Sequence, residues 1–364
     1  MASSERTPDP AAELERAAAG VLPRDVWDFA AGGSGRELAL RANRAALDEV
    51  FLQPRVMRDV SGCSTGTTLL GRPARVPLAV APFAYHRLFH PDGELATARA
   101  AKAAGVPFVL GTLSSVAVEE VTAAGGEVWF QLYWLRDEQR SLDLVKRAED
   151  AGCRAVVLTA DVPWMGRRHR DARNGFTLPD HVRAAHLEDT GAAHQRVPGA
   201  SAVALHSALA LSPALTWRTL ETLCAATGLP VVLKGVLDPR DARRAADLGA
   251  AAVVVSNHGG RQLDGAVPGA VVLPRVAEAV AGRCEVLLDG AVRTGTDMLK
   301  ALALGASGAL VGRPVIWGLA VDGEDGVRRV LDTMAEEFRD ALGLAGCATT
   351  GQAHDLTTVR MGTD

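Results

Sequence analysis

Side chains of the kinds that move protons and hold anions recur at one kind of place in this sequence, directly after short apolar runs. In chain order they are Ser114 and Ser115, Gln131 and Tyr133, Thr159 and Asp161, Lys234, Ser256-Asn257-His258, Asp289 with Arg293, and Gly312-Arg313. Histidine, carboxylate, lysine and tyrosine are the usual proton carriers of catalysis, and arginine is the usual host of a phosphate or carboxylate. Two scarce residue types sharpen the pattern. The chain has 2 tyrosines, and both, Tyr85 and Tyr133, lie at or just after an apolar run. Only four of its 39 basic residues are lysines, and Lys234 closes Val231-Val232-Leu233, where a cation must be paired or face a site. The bland alternative is a lysine snorkelling out over a rim.

The apolar runs carry their own message. PLAVAP at 77, FVLG at 108, VWFQLYW at 128, AVVLTAD at 155, VVLKG at 231, AVVVSN at 252, EVLLDG at 285 and ALVGR at 309 are short and uniformly apolar. That suits strands buried on both faces, and most are followed by helix-like Ala/Arg/Glu sequence. Eight such units predict an α/β fold, a (β/α)₈ TIM barrel, whose active site would sit at the C-terminal ends of the strands. Glycines closing Ala-rich segments, as in AAKAAGVPF and AADLGAAAVVV, fit helix C-caps. The chain, 1–364, is expected to be a single domain, with an N-terminal helical segment over 1–76, the barrel over 77–320 and a helical tail over 321–364. In the first segment Asp9 would cap a helix from Pro10 to Ala19. A second helix would run from Arg24 to Ala31, stop at Gly32-Gly33, and give way to a third from Glu37 to Val50. Residues 163–213, after the fourth strand, are too long for a simple connection and read as a lid loop. Their apolar stretch 202–211 suits either a flap over a pocket or a plain surface helix.

Composition narrows the partners. With 39 Lys+Arg against 43 Asp+Glu the formal net charge is −4, which offers nucleic acid and anionic membranes no attraction. Hydrophobic residues make up 48% of the chain, too many for a disordered one. Its 5 cysteines are scattered without a C-x-x-C pair, so a reducing, cytoplasmic setting is expected rather than a disulfide framework or a zinc site. No stretch approaches the ~18 apolar residues of a membrane span, and no apolar leader opens the sequence. His86 and His90 have the spacing of two helical metal ligands, but Pro91 follows at once without a third ligand nearby, and no metal is expected. The absence of a G-x-G-x-x-G motif opening a helix argues against a dinucleotide domain.

SNHGGRQLD from Ser256 to Asp264, LDGAVRTGTD from Leu288 to Asp297 and Gly312-Arg313-Pro314 closely resemble the FMN-dependent 2-hydroxy-acid oxidase and dehydrogenase family. APFAYHRLFHPDGE at 81, GTLSS at 111, QLYW at 131 and LTADVPWMGRR at 158 extend the resemblance from about Leu22 to Gly346. It implies FMN as cofactor and oxidation of an (S)-2-hydroxy acid to the 2-oxo acid, with dioxygen as acceptor and hydrogen peroxide as product. His258 would be the base, with Asp161 holding its imidazolium, a pairing that raises a histidine pKa. Arg168 and Arg261 would clamp the carboxylate bidentately, as lysine does not, while Arg167 faces solvent. Tyr133 would hydrogen-bond the substrate oxygen, and Lys234 would offset negative charge at N1 and O2 of the flavin. The resemblance assigns Ser114, Gln131 and Thr159 to the ring edge, and Asp289, Gly290, Arg293, Gly312 and Arg313 to the ribityl and phosphate groups. Ala81, Pro82, Phe83, Ala84 and Ser256 complete the implied cofactor contacts.

Two positions depart from the glycolate-oxidising members. Phe29 stands where they carry a tyrosine that touches the carboxylate, so the clamp rests more heavily on the arginines. Val116 stands where they carry a tryptophan that narrows the pocket, which predicts room for an aromatic substrate, mandelate or 4-hydroxymandelate. Tyr85 would lie against that ring or cover the flavin. The same motifs serve a short-chain lactate or glycolate oxidase and a mandelate dehydrogenase with an acceptor other than oxygen. They leave open whether His258 takes its proton from Cα or from the hydroxyl. A non-catalytic flavin- or phosphate-binding barrel is the reading from another class, against which the full base, clamp and cation set argues. The resemblance also implies a homo-oligomer, a tetramer.

Overall fold

The computed structural model of the protein describes residues 10–187 and 191–361. Eight parallel strands, each hydrogen-bonded to the next in chain order, close into a barrel. They are β1 (Leu78–Val80), β2 (Phe108–Gly111), β3 (Val128–Leu132), β4 (Val156–Thr159), β5 (Val231–Val236), β6 (Ala252–Val255), β7 (Glu285–Asp289) and β8 (Gly308–Val311). β8 pairs with β1 to complete the circle, Leu310 opposite Ala79. All eight expected strands are present, and the fold is the (β/α)₈ barrel that their spacing predicts.

Closure explains why these strands are apolar along most of their length. Alternate residues Ala79, Val109, Trp129, Val157, Val232, Val254, Leu287 and Leu310 pack against one another inside the barrel. Their neighbours Leu78, Phe108, Phe130, Leu158, Leu233, Val253 and Leu288 point outward into the core shared with the helices. Both faces are buried, so no polar alternation survives.

Sequence patterning alone did not reveal what fills the floor of the barrel. Residues Thr67–Leu69 and Arg72–Ala74 form a hairpin in the segment expected to be helical. Its turn is Leu70-Gly71, with φ of 50° and 72°, the left-handed pair that a two-residue hairpin turn requires. Leu69 and Ala74 thereby reach the inner cluster and plug it.

The N-terminal helices are α1 (Pro10–Val21), α2 (Arg24–Ala31) and α3 (Leu38–Asp48). α1 runs past Ala19, and its expected cap, Asp9, lies outside the described residues. α3 does not continue to Val50. That residue opens the strand Val50–Gln53, antiparallel to Thr357–Arg360 near the other end of the chain, a partner no local pattern announces. The expected helical tail is likewise mixed: the helix Arg313–Leu344 starts at the rim of β8, breaks at Asp322 and Gly323, and is followed by that strand.

Over 163–213 the described residues form the helix His169–Asn174, a single turn Ala192–His194 and the helix Ala202–Ala210. This segment is sewn to the barrel rim: Ala185 N donates to Ser114 O at 2.8 Å, and Ser212 N to Trp134 O at 2.9 Å. Among the described residues no helix is long and apolar enough to cross a membrane.

Because Leu69 is 1% exposed and fills the barrel floor, Leu69→Ala should lower the free energy of unfolding by about 2–5 kcal/mol, the cost of a buried cavity. Urea denaturation of the variant against the wild type measures it.

Candidate active site

Three strand ends assemble the proton-handling group. Asp161 follows β4, Lys234 lies within β5, and His258 stands three residues beyond β6. Asn257 sets the last turn, its side chain accepting from Gly260 N at 3.1 Å while pairing with Asn43 of α3 at 2.7 Å in both directions. His258 adopts φ of 60°, a strained conformation for a residue with a side chain, which turns the imidazole over the barrel mouth. There Nδ1 meets Asp161 Oδ1 at 2.9 Å, and Nε2 faces Tyr133 Oη at 3.5 Å. The carboxylate fixes Nδ1 as the protonated nitrogen and leaves Nε2 free to accept.

Gly235 makes this approach feasible. β5 bulges there, its φ is 101°, and a Cβ would stand 2.5 Å from Asp161 Cγ. Any side chain would push the carboxylate away from the histidine.

The charges of the group are mutually adjusted. Burial pushes the His258 imidazole down, Asp161 pulls it up, and Lys234 and Arg168 push it down again; the net position is below the ordinary histidine value. This corrects the expectation of a raised pKa, because desolvation outweighs the ion pair. Burial acts against the Asp161 carboxylate, but His258 and Lys234 hold it below the usual carboxylate range. Lys234, although buried, is held above its usual range by Asp289, Asp161 and Tyr133. Its Nζ lies 3.1 Å from Asp289 Oδ2 and donates to Ser256 Oγ at 3.3 Å, and Ser256 in turn donates to Asp289 at 2.6 Å.

Beside the imidazole lie two buried guanidiniums. Arg261 donates through Nη1 to the carbonyls of Phe29 and Gly32 at 2.7 and 2.8 Å, at the C-terminal end of α2. Burial, with Arg168 and Arg313 nearby, presses its pKa well below the arginine value. Arg168 lies 3.8 Å from Asp171, its buried Nε has no hydrogen-bond partner, and its guanidinium stands 5.9 Å from the Phe29 ring centre. Phe29 stacks on Phe176 of the lid at 4.6 Å. A carboxylate placed between these cations would relieve their desolvation.

At the other end of the same cleft, beyond β7 and β8, stand Arg293 and Arg313. Among the described residues neither has a carboxylate within ion-pair distance; Arg313 donates instead to the carbonyls of Ala30, Gly259 and Gly32 at 3.1–3.2 Å. Burial and the adjacent Arg293 press Arg313 down to about 10. Gly290, at φ of 109°, and Gly312, at the start of the helix Arg313–Leu344, leave backbone exposed to the cleft between them. Two half-buried cations and a helix N-terminus suit a phosphate, and the fixed ammonium of Lys234 suits the electron-rich edge of a flavin. The residues present therefore fit FMN.

Most of the expected site residues line this one cleft: Phe29, Pro82, Phe83, Ala84, Tyr133, Thr159, Arg168, Lys234, His258, Arg261, Asp289, Gly290, Arg293, Gly312 and Arg313. Asp161 and Ser256 stand directly behind it, bonded to His258 and Lys234. Gln131 and Ser114 are a layer further back. Gln131 donates to Thr159 Oγ1 at 2.9 Å, while the Ser114 hydroxyl is used within its own turn, donating to Val116 O at 2.7 Å. Ala81 is buried in the inner barrel cluster.

Two expectations are corrected. Val116 is buried in the outer core and does not reach the cleft; Leu113, three residues earlier in the same turn, lines it instead. Tyr85 is wholly buried, with φ of 57° and an unbonded hydroxyl, and likewise does not line the cleft. The chain turns directly after β2, Ser114 N donating to Gly111 O at 3.1 Å, and a sequence does not display which apolar residue of such a turn meets the cleft. Met165 and Val203, both from the segment after β4, line it as well, together with Ala291, Val292 and Leu310, and the sequence alone assigned none of these a role at the site.

Comparison with known proteins agrees with this geometry. The chain is 61% identical to the 4-hydroxymandelate oxidase of Amycolatopsis orientalis, over 95% of this chain and 97% of that protein. It is 46% identical to an L-lactate oxidase of a Nostoc species, over 95% and 96% of the two chains. A solved structure of a mandelate oxidase with (S)-4-hydroxymandelic acid superposes with a TM-score of 0.95 at 60% identity, covering 96% of this chain and 98% of the other. Residues 18–359 match the model of the FMN-dependent dehydrogenases, and the chain belongs to that FMN-dependent family of 2-hydroxy-acid oxidising enzymes.

Proposed function

We propose that this enzyme oxidises an aromatic (S)-2-hydroxy acid, mandelate or 4-hydroxymandelate, to the 2-oxo acid, with dioxygen as the final acceptor and hydrogen peroxide as product. The observation that carries this reading is an imidazole, held below the ordinary histidine pKa, facing a cleft that has a cationic side, Arg168 and Arg261, and an apolar side, Leu113, Met165 and Val203. A 2-hydroxy acid with a phenyl group satisfies both sides at once. The 61% identity with a 4-hydroxymandelate oxidase, against 46% with an L-lactate oxidase, supports the aromatic substrate.

Arg168 and Arg261 bind the substrate carboxylate and thereby set the position of the hydroxylated carbon. Nε2 of His258 accepts a proton from the substrate, and Asp161 stabilises the imidazolium that results. Tyr133, whose phenol burial holds above its usual range, stays protonated and donates to the substrate oxygen. FMN, when bound, would supply the acceptor for the two electrons and for the second hydrogen that the alcohol loses. Lys234, supported by Ser256 and Asp289, would hold the positive charge for its ring, and Arg293, Arg313 and the amides near Gly312 would hold its phosphate. Phe29 contributes an aromatic face to the arginines and no hydroxyl to the substrate, so the clamp is made of guanidiniums alone.

Anaerobic addition of (S)-mandelate should bleach the flavin absorption, and air should restore it within seconds; slow restoration would identify a dehydrogenase, and bleaching by lactate alone would refute the aromatic substrate. His258→Ala should slow the bleaching by about 10²–10⁴-fold, the usual contribution of a positioned base. Because His258 must be neutral to accept a proton and its pKa is lowered, the acid limb of kcat/KM should fall at a pH below about 6.5. An acid limb above that value would contradict the assignment. Leu113→Trp should refill the apolar side and shift the ratio of kcat/KM for mandelate over lactate by about tenfold or more toward lactate.

A further inference from the structure

Gln262 takes no part in the chemistry described above, yet its side-chain amide is bonded three ways. Nε2 donates to the backbone carbonyls of Asp161 and Trp164, each at 2.9 Å, and Oε1 accepts from Gly166 N at 2.9 Å. All three partners belong to the loop after β4 that begins with Asp161 and leads to Arg168. Gln262 itself directly follows Arg261, in the loop after β6 that carries His258. One amide therefore spans the two loops that supply the base, its carboxylate and both arginines.

The contact between these loops leaves no slack. A Cβ on Gly166 would stand 2.4 Å from Arg261 O and 2.9 Å from Gln262 Cα. The segment after α2 closes the assembly from the far side: the Ser34 hydroxyl donates to Gln262 O, and Gly35 N donates to Arg167 O at 2.9 Å. The three bonds need a donor for two carbonyls and an acceptor for an N–H on one planar head, which an amide provides and a carboxylate or a thioether does not.

We propose that Gln262 is a positioning residue of the oxidation reaction, fixing the spacing between the Asp161–His258 pair and the Arg168–Arg261 clamp. Its two arms act on different functions. The Nε2 arm holds the backbone of Asp161 and so bears on proton transfer. The Oε1 arm holds Gly166, two residues before Arg168, and so bears on carboxylate binding. Neither arm touches the substrate.

The inference rests on the roles given above to His258 and the arginines, so each variant is read as a ratio to wild-type holoenzyme on whichever of (S)-mandelate and (S)-lactate the wild type oxidises. Gln262→Met keeps the length and removes all three bonds; Gly166→Ala keeps Gln262 and forces the loops apart. At equal FMN content, both should lose on the order of a hundredfold in kcat/KM, as misplacement by about an ångström does. Both should also raise the dissociation constant of phenylacetate, an unreactive carboxylate probe, by about tenfold. In Gln262→Met the acid limb should move to lower pH, because a displaced Asp161 no longer pulls the His258 pKa up. Gln262→Met with kcat/KM and phenylacetate affinity within about twofold of wild type, or with activity lost only in proportion to FMN or folded protein, would overturn the proposal. If the wild type oxidises neither acid, the functional reading fails by itself, and the phenylacetate comparison still decides whether Gln262 positions the clamp.

Discussion

Five cations, Lys234, Arg168, Arg261, Arg293 and Arg313, line one cleft that offers them few carboxylates, and the architecture around the barrel mouth answers that imbalance. Among the described residues only Lys234 has a short carboxylate contact, to Asp289 at 3.1 Å, while Arg168 stands 3.8 Å from Asp171. Arg261 and Arg313 are instead held by carbonyl oxygens, chiefly those of Phe29, Ala30 and Gly32 at the end of α2. A helix C-terminus carries unsatisfied carbonyls and partial negative charge, so it can orient a guanidinium without neutralising it. The helices before the barrel are thus part of the site. They aim the arginines while leaving their charge available to an anion.

The same economy governs the histidine. An imidazole buried beside a carboxylate would gain a proton if the carboxylate acted alone, and would then be useless as an acceptor. Here desolvation, Lys234 and Arg168 counter Asp161, so the ring is oriented by the carboxylate while its pKa stays below the ordinary histidine value. Lys234 serves both sides of the arrangement, since it helps keep Asp161 ionised while its own charge is maintained by Asp289. The steric condition for this closeness is local and severe: a bulge at Gly235 without a side chain, and a strained φ at His258.

How much of this could be read in the chain depends on the range of the cause. The barrel strands were legible because burial on both faces leaves a purely local mark, a short apolar run. The residues after them were legible because the fold sends every strand end to one rim. The floor hairpin at 67–74 and the pairing of Val50–Gln53 with Thr357–Arg360 were not, since each depends on a partner distant in sequence. Val116 and Leu113 show the limit at closest range. Both are apolar and lie in one turn, and only the dihedral path after β2 decides which of them meets the cleft. The direction of the His258 shift was hidden for a related reason: a motif shows the carboxylate but not the depth of burial that outweighs it.

The lid segment follows a different logic from the rim. Its lining residues Met165 and Val203 are apolar, whereas Tyr133, Lys234 and His258 stand at or just beyond strand ends. Arg168 is the exception, and it lies at the start of the segment, immediately before the helix His169–Asn174, where Gly35 and Gln262 tie the neighbouring backbone down. Most of the charged groups therefore sit on backbone fixed by the barrel, and two of the apolar lining residues on the segment after β4. Substitutions at Leu113, Met165 and Val203 can reshape the space for the substrate without disturbing the hydrogen bonds that orient His258 and the arginines. The space of the cleft and the orientation of its charged groups are thus set by different residues.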